Sequence, residues 1–215
     1  MLFALSFITA QAQITKEQKK EREEIYKSSK SQLNEKASKA ARQEAKKYAK
    51  DGWVSSPGAL PIEKQLDRSY LMQMEYDADM YPKYLMGEGR SIGENYDAAK
   101  MQASELAKQD LAGKIQTEIT ALVDNSVSNQ QLAEEQAASV TKSILVSKNL
   151  ISQDIGRTIT VVEAYRTLPN KNKEVLVRIA YNGDMAKTAA KKAIRENLED
   201  KSEELHKKLD ELLGW

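Results

Sequence analysis

Two runs of β-branched residues constrain this chain more than any other feature. Arg157 to Leu168 and Glu174 to Tyr181 alternate roughly in polarity and stand on either side of Pro169-Asn170-Lys171-Asn172-Lys173. Alternation with a period of two, interrupted by turn-forming residues, predicts an antiparallel hairpin. A third strand is expected over Lys83 to Arg90, after Pro82, with Gly87 and Gly89 on one face. Glycines at alternate positions leave room for another element to approach the backbone closely.

The helix predicted over Asn95 to Asp124 suits that role. It carries Ala98, Ala99, Ala103 and Ala107 where it would meet the glycines, then Leu111, Ile115, Ile119 and Leu122 at spacings of three or four. A further helix is expected over Asn129 to Lys148 through Leu132, Ala133, Ala137, Val140 and Ile144. The fold class that follows is α+β, with a small antiparallel sheet of about three strands covered by helices.

Long helices are expected at both ends. Ile14 to Lys50 is rich in Lys, Glu, Gln and Ala and free of Gly and Pro, which reads as one helix. Its apolar face is thin: Ile25, Leu33, Ala37, Ala41, Ala45 and Ala49, with Tyr26 and Tyr48 beside it. Asp51-Gly52 ends it, Trp53 to Pro61 reads as an irregular connection, and a short helix is expected from Ile62 to about Tyr76 through Leu66, Tyr70 and Met74. The last helix is expected from Met185 to about Leu213, with a leucine row at Leu198, Leu205, Leu209 and Leu212. The segments divide as 1–12 leader, 13–50 charged helix, 51–82 linker and short helix, 83–190 α+β domain, and 191–215 C-terminal helix.

Charge is distributed unevenly behind a formal net charge of +1. Lys16 to Lys50 holds twelve Lys and Arg against six Glu, a net +6, while Glu196 to Glu211 holds seven acids against three Lys, a net −4. The two ends are therefore expected to attract each other, within one chain or between two copies. The six interleaved acids dilute the basic helix too much for a nucleic-acid grip.

The first residues form an apolar run from Leu2 to Ala10 that closes on Ala10-Gln11-Ala12, the small-residue pattern of a signal-peptidase site. Cleavage there would start the mature chain at Gln13 and place it in the periplasm or outside the cell. The absence of Lys or Arg ahead of the run leaves room for an upstream start, and a buried apolar strand or helix turn is the competing reading. The run falls short of the ~20 apolar residues needed to cross a bilayer, so no transmembrane segment is expected. The chain has no cysteine, which excludes disulfides, thiolate metal sites and lipidation at cysteine.

Gly87-Glu88-Gly89, a short polar link, the alanine-studded helix from Asp97 onward and a hairpin whose second strand reads Val175-Leu176-Val177-Arg178-Ile179 resemble the exported domain of the small 20-kilodalton envelope lipoprotein antigens of epsilon-proteobacteria. The pattern is also similar to the N-terminal domain of a flagellar-ring assembly protein. The resemblance covers roughly residues 83 to 190. It implies helices covering a small antiparallel sheet, an envelope location and no catalysis. The chain departs from the family in lacking the lipidation cysteine and in carrying both flanking helices.

Other chemistry is weakly signalled. His206 is the single histidine and stands among Glu203, Glu204, Lys207 and Lys208, a solvated helix face rather than a triad or metal site. Glu75, Asp77 and Asp79 offer oxygens to calcium without the further ligands and turn glycine of a binding loop. Gly87 to Gly93 spaces its glycines GxGxxxG, which is neither a dinucleotide fingerprint nor a P-loop. Tyr70, Tyr76, Tyr81 and Tyr84 with Trp53 read as core and loop cover, with an aromatic platform for sugars or peptides as the alternative. No catalytic, cofactor or metal residue is assigned. The expected role is that of a non-catalytic exported envelope protein, structural or interacting with an envelope protein; the alternative is a soluble periplasmic module holding a small or polymeric ligand between the hairpin and the tyrosine-rich segment.

Overall fold

A computed structural model of the chain describes residues 16–77, 80, 82–129, 133–197 and 203–212. The leader read over 1–12 lies outside them. The chain divides into two compact units, residues 1–36 and 37–215. The first contains helix α1 (Lys16–Asn34), on which Leu33 and Tyr26 are exposed.

The single helix expected up to Lys50 is two helices. After α1 the chain leaves helical geometry and re-enters it at α2 (Lys39–Lys50), where the Ser38 hydroxyl accepts the Ala41 N–H at 3.2 Å. A serine there competes with helix propensity because it satisfies an orphan donor of the new helix. The Ser38 N–H in turn donates to the Asp67 carboxylate at 3.0 Å, a tertiary contact that fixes the break. Ala37 and Ala41 are buried.

The second unit is built on a four-stranded antiparallel sheet in the order β1-β3-β4-β2, from β1 (Val54–Ser55), β2 (Tyr84–Gly93), β3 (Ile159–Thr167) and β4 (Lys173–Asn182). The expected three strands are present. The fourth, β1, comes from the connection read as irregular; its two residues pair with Tyr165 and Ala164. The hairpin closes through Lys171 in the left-handed region (φ 68°), with the Leu168 N–H donating to the Asn172 carbonyl at 2.9 Å.

Helices cover both faces. On one lie α4 (Tyr96–Ser128), α5 (Glu134–Val146), α6 (Lys148–Asp154) and α7 (Gly183–Asn197); on the other lie α2 and α3 (Ile62–Gln73). Helix α4 starts where Asn95 accepts the Ala98 N–H at 2.9 Å. It runs back along β2 with Ala99, Ala103, Ala107 and Leu111 fully buried. A methyl built on Gly89 would stand 2.0 Å from the Ala103 carbonyl oxygen, and one on Gly87 2.2 Å from that of Ala107. The glycines are thus obligatory for this approach, as their pairing with the alanine helix predicts.

The C-terminal region differs from the expected continuous helix. Helix α8 (Glu203–Leu212) sends Asp210 to Arg195 at 2.7 Å and to Lys191 at 2.9 Å, both on α7. Fifteen helical residues would separate Arg195 from Asp210 by about 22 Å, so the chain must double back. Asp210 thus finds its cations in the preceding helix. Leu209 is fully buried in the main core, and Leu198 lies outside the described residues.

Candidate functional site

The densest polar constellation lies on the sheet face under α2 and α3. The alternation that puts Leu85, Gly87 and Gly89 toward α4 puts Glu88 and Arg90 on the opposite side, and the register aligns Glu88 with Arg178 and Arg178 with Val162. Arg178 donates from Nε and Nη2 to one Glu88 carboxylate oxygen at 2.9 and 2.7 Å, and from Nη1 to the Ser69 hydroxyl of α3 at 3.1 Å. Four residues along, Arg166 donates to the buried Glu174 at 2.6 Å and to the Asp51 carbonyl at 3.1 Å. Trp53, only 5 % exposed, takes the guanidinium of Arg166 at 4.9 Å and that of Arg90 at 5.3 Å from its ring centre. Tyr48 meets Trp53 edge-on.

These groups hold α2 and α3 to the sheet. Tyr70 on α3 donates its hydroxyl to Glu44 on α2, and burial together with that hydrogen bond pushes the phenol up to about 12. Burial also raises Tyr48, with Glu88 adding to the shift. Both phenols therefore stay protonated donors at neutral pH.

A second cluster flanks the first turns of α4. Glu163 of β3 accepts from Lys100 at 2.9 Å and from the Tyr96 hydroxyl, while Tyr96 packs edge-on against Tyr165 with ring centres 5.4 Å apart. Burial by itself would raise the Glu163 carboxyl; the hydrogen bonds from Tyr96 and Lys100 outweigh it and hold it below the ordinary range. The hydrogen bond to Glu163 raises Lys100 despite its partial burial. Acid and base are each driven away from neutrality, the reverse of the tuning that proton transfer at neutral pH requires.

The residues singled out in the sequence are scattered. Gly87, Gly89 and Gly93 lie in strand β2 beneath α4 and do not form a phosphate loop. Glu75 pairs with Lys83 at 3.4 Å, and Asp79 lies outside the described residues, among which no group of three or more candidate metal ligands occurs. His206 lines an open depression with Lys191, Lys192 and Arg195. Trp53 is core, Tyr76 is half exposed, Tyr84 borders a small cluster with Met72, Val161 and Ala180, and Tyr81 lies outside the described residues. That cluster fills the space between the hairpin and α3.

Sequence reasoning missed the two clusters. Their signal was present: Glu163, Arg166, Glu174 and Arg178 are charges inside strands that otherwise read as apolar, a pattern expected where both faces are covered and charges must pair. Further depressions lie on the side of α4 to α7 and are open to solvent. One of about 570 Å3 is lined by Asp110, Lys114, Thr117, Glu118 and Lys148, another of about 380 Å3 by Asp154, Tyr181, Asp184 and Lys192. Comparison with protein-family models, curated proteins and solved structures gives no match.

Proposed function

We propose that the chain is a non-catalytic, exported protein of the cell envelope with a structural or protein-interaction role, residing in the periplasm or outside the cell. The observation that carries the reading is how the clusters use their charges. Glu88, Glu163, Glu174 and Asp210 each bind a cation of the same fold, and those cations bind them in return. Such pairs join elements; they do not present a nucleophile or a base to a substrate. The apolar run closing on Ala10-Gln11-Ala12 and the resemblance over residues 83 to 190 support export. No helix among the described residues is long and apolar enough to cross a membrane.

A ligand seated between the hairpin and the tyrosine-rich segment is disfavoured by the packing of Met72, Val161 and Ala180, which are 7 %, 3 % and 0 % exposed. Fractionation of the native host with N-terminal sequencing tests the export reading. The expected product lies outside the cytoplasm and begins at Gln13; a cytoplasmic chain that retains Leu2 to Ala12 overturns it. Crosslinking in intact cells followed by mass spectrometry then identifies the partner.

A further inference from the structure

Strand β2 forms one edge of the sheet, and its outward-facing backbone groups can be assigned. The Glu88 N–H donates to Asp110 at 2.9 Å and the Met86 carbonyl accepts from Lys114 at 2.8 Å, both on α4, whereas the Lys83 carbonyl faces the other way and accepts from Gly183 at 2.9 Å. Even-numbered residues of β2 therefore aim their N–H and C=O away from β4. Helix α4 seals the first half of this edge with one acceptor and one donor. One turn earlier the same helical row carries Leu106, which can do neither.

The second half of the edge is open. No described side chain takes the N–H or C=O of Arg90 or Ile92. Ile92 is 52 % exposed. An unsealed edge bearing an exposed β-branched residue is a template for strand pairing.

We infer that this stretch pairs with the same stretch of a second copy of the chain, antiparallel about a two-fold axis through Ile92. Two observations select that occupant. The open length is short, and a long incoming strand would run into Asp110 and Lys114; a second β2 crossing at Ile92 carries its own sealed half away in the opposite direction. The register that sets Ile92 against its counterpart also sets Arg90, which lies over Trp53 and 4.0 Å from Glu174 of its own chain but keeps a half-exposed side chain, opposite Glu94 of the second copy. Glu94 is exposed, and among the described residues it forms no ion pair. Symmetry makes two such pairs, so the contact is isologous and self-complementary in charge. Its small extent makes the association weak and reversible. The inference concerns the purified chain and does not depend on export.

The full chain has no cysteine, so Ile92→Cys introduces one thiol. Hydrogen-bonded antiparallel neighbours stand about 5.5 Å apart at Cα, within disulfide range. Under mild oxidation Ile92→Cys is expected to form a covalent dimer much faster than Met74→Cys, an exposed control. Sedimentation equilibrium of the unmodified chain is expected to show a reversible dimer that Ile92→Lys removes without changing the thermal melt. Arg90→Glu should weaken it on the order of tenfold, and adding Glu94→Arg should restore it. A chain that is monomeric at every concentration, equal crosslinking at positions 92 and 74, or a dimer that survives Ile92→Lys overturns the inference.

Discussion

The two faces of the sheet are covered by opposite means. Under α4 the contact is dry and close: glycine against alanine, with backbone nearly touching backbone. Under α2 and α3 an apolar cluster around Leu66, Val162 and Leu176 is bordered by charge: arginines bridge glutamates, and a tryptophan lies against two guanidinium groups. The first arrangement obtains its energy from packing density and tolerates no added volume. The second obtains orientation from directional bonds, because paired charges taken from water return little net stability. The α4 seam is thus expected to determine whether the domain folds, and the charged contacts to determine how its parts are set.

The seam can be broken with one side chain. At Gly89 a new Cβ would stand 2.0 Å from the Ala103 oxygen and 2.4 Å from the Ala107 nitrogen, both backbone atoms of a 33-residue helix. Neither can move aside alone. Gly89→Leu should cost about 4 kcal/mol or more, in the range reserved for severe overpacking, and Gly89→Ala about 1–3 kcal/mol. At roughly 2–4 °C per kcal/mol for a chain of this size, thermal melting reads both. An unchanged melt for the leucine variant would show that α4 does not lie on β2.

The charged contacts that flank the α4 seam can be broken by acid. Glu163 is held below the ordinary carboxylate range, and so is Asp110, where burial is outweighed by Lys114 and the Glu88 N–H. A depressed folded value means that the stabilisation is complete above the unfolded value of about 4 and is lost as pH falls through the folded one. Glu163→Gln should cost about 1–2 kcal/mol at pH 7 and make the acid limb of the stability curve shallower. Equal acid limbs for the variant and the parent would mean that Glu163 gains nothing from Lys100 and Tyr96. The glycine–alanine contacts themselves contain no titratable group and should contribute equally across that range.

The same contrast explains what could be read from sequence. Period and residue size disclosed the seam, because Gly87, Gly89 and the alanines of α4 are local patterns that face one another. The hairpin was legible for the same reason. The break before α2 was not, since it depends on Ser38 meeting Asp67, 29 residues away. The reversal between α7 and α8 likewise depends on Asp210 reaching Lys191 and Arg195. Uninterrupted helix composition conceals such turns, because propensity registers only nearest neighbours. The two-residue β1 has no alternation to detect, and the Arg–Glu network is formed by cross-strand register, which single-strand patterns do not report.

The smallest effect separates the cost of a glycine from the contact it permits. Gly113 lies inside α4, as Gly87 and Gly89 lie inside β2, and each forgoes the backbone restriction that alanine would supply. The glycines of β2 are required by the helix above them. Gly113 is not, because a Cβ there would meet only Lys148, with Nζ at 3.4 Å and Cε at 3.5 Å, the mobile end of a long side chain at ordinary contact distance. Gly113→Ala should therefore stabilise the chain by about 0.5–1 kcal/mol through helix propensity and a more restricted unfolded state. That corresponds to a rise in melting temperature of about 1–4 °C. Opposite signs at Gly89 and Gly113 would attribute the glycine requirement to the α4 contact itself. A loss at both would mean that Lys148 is held above Gly113 as firmly as Ala103 is held above Gly89.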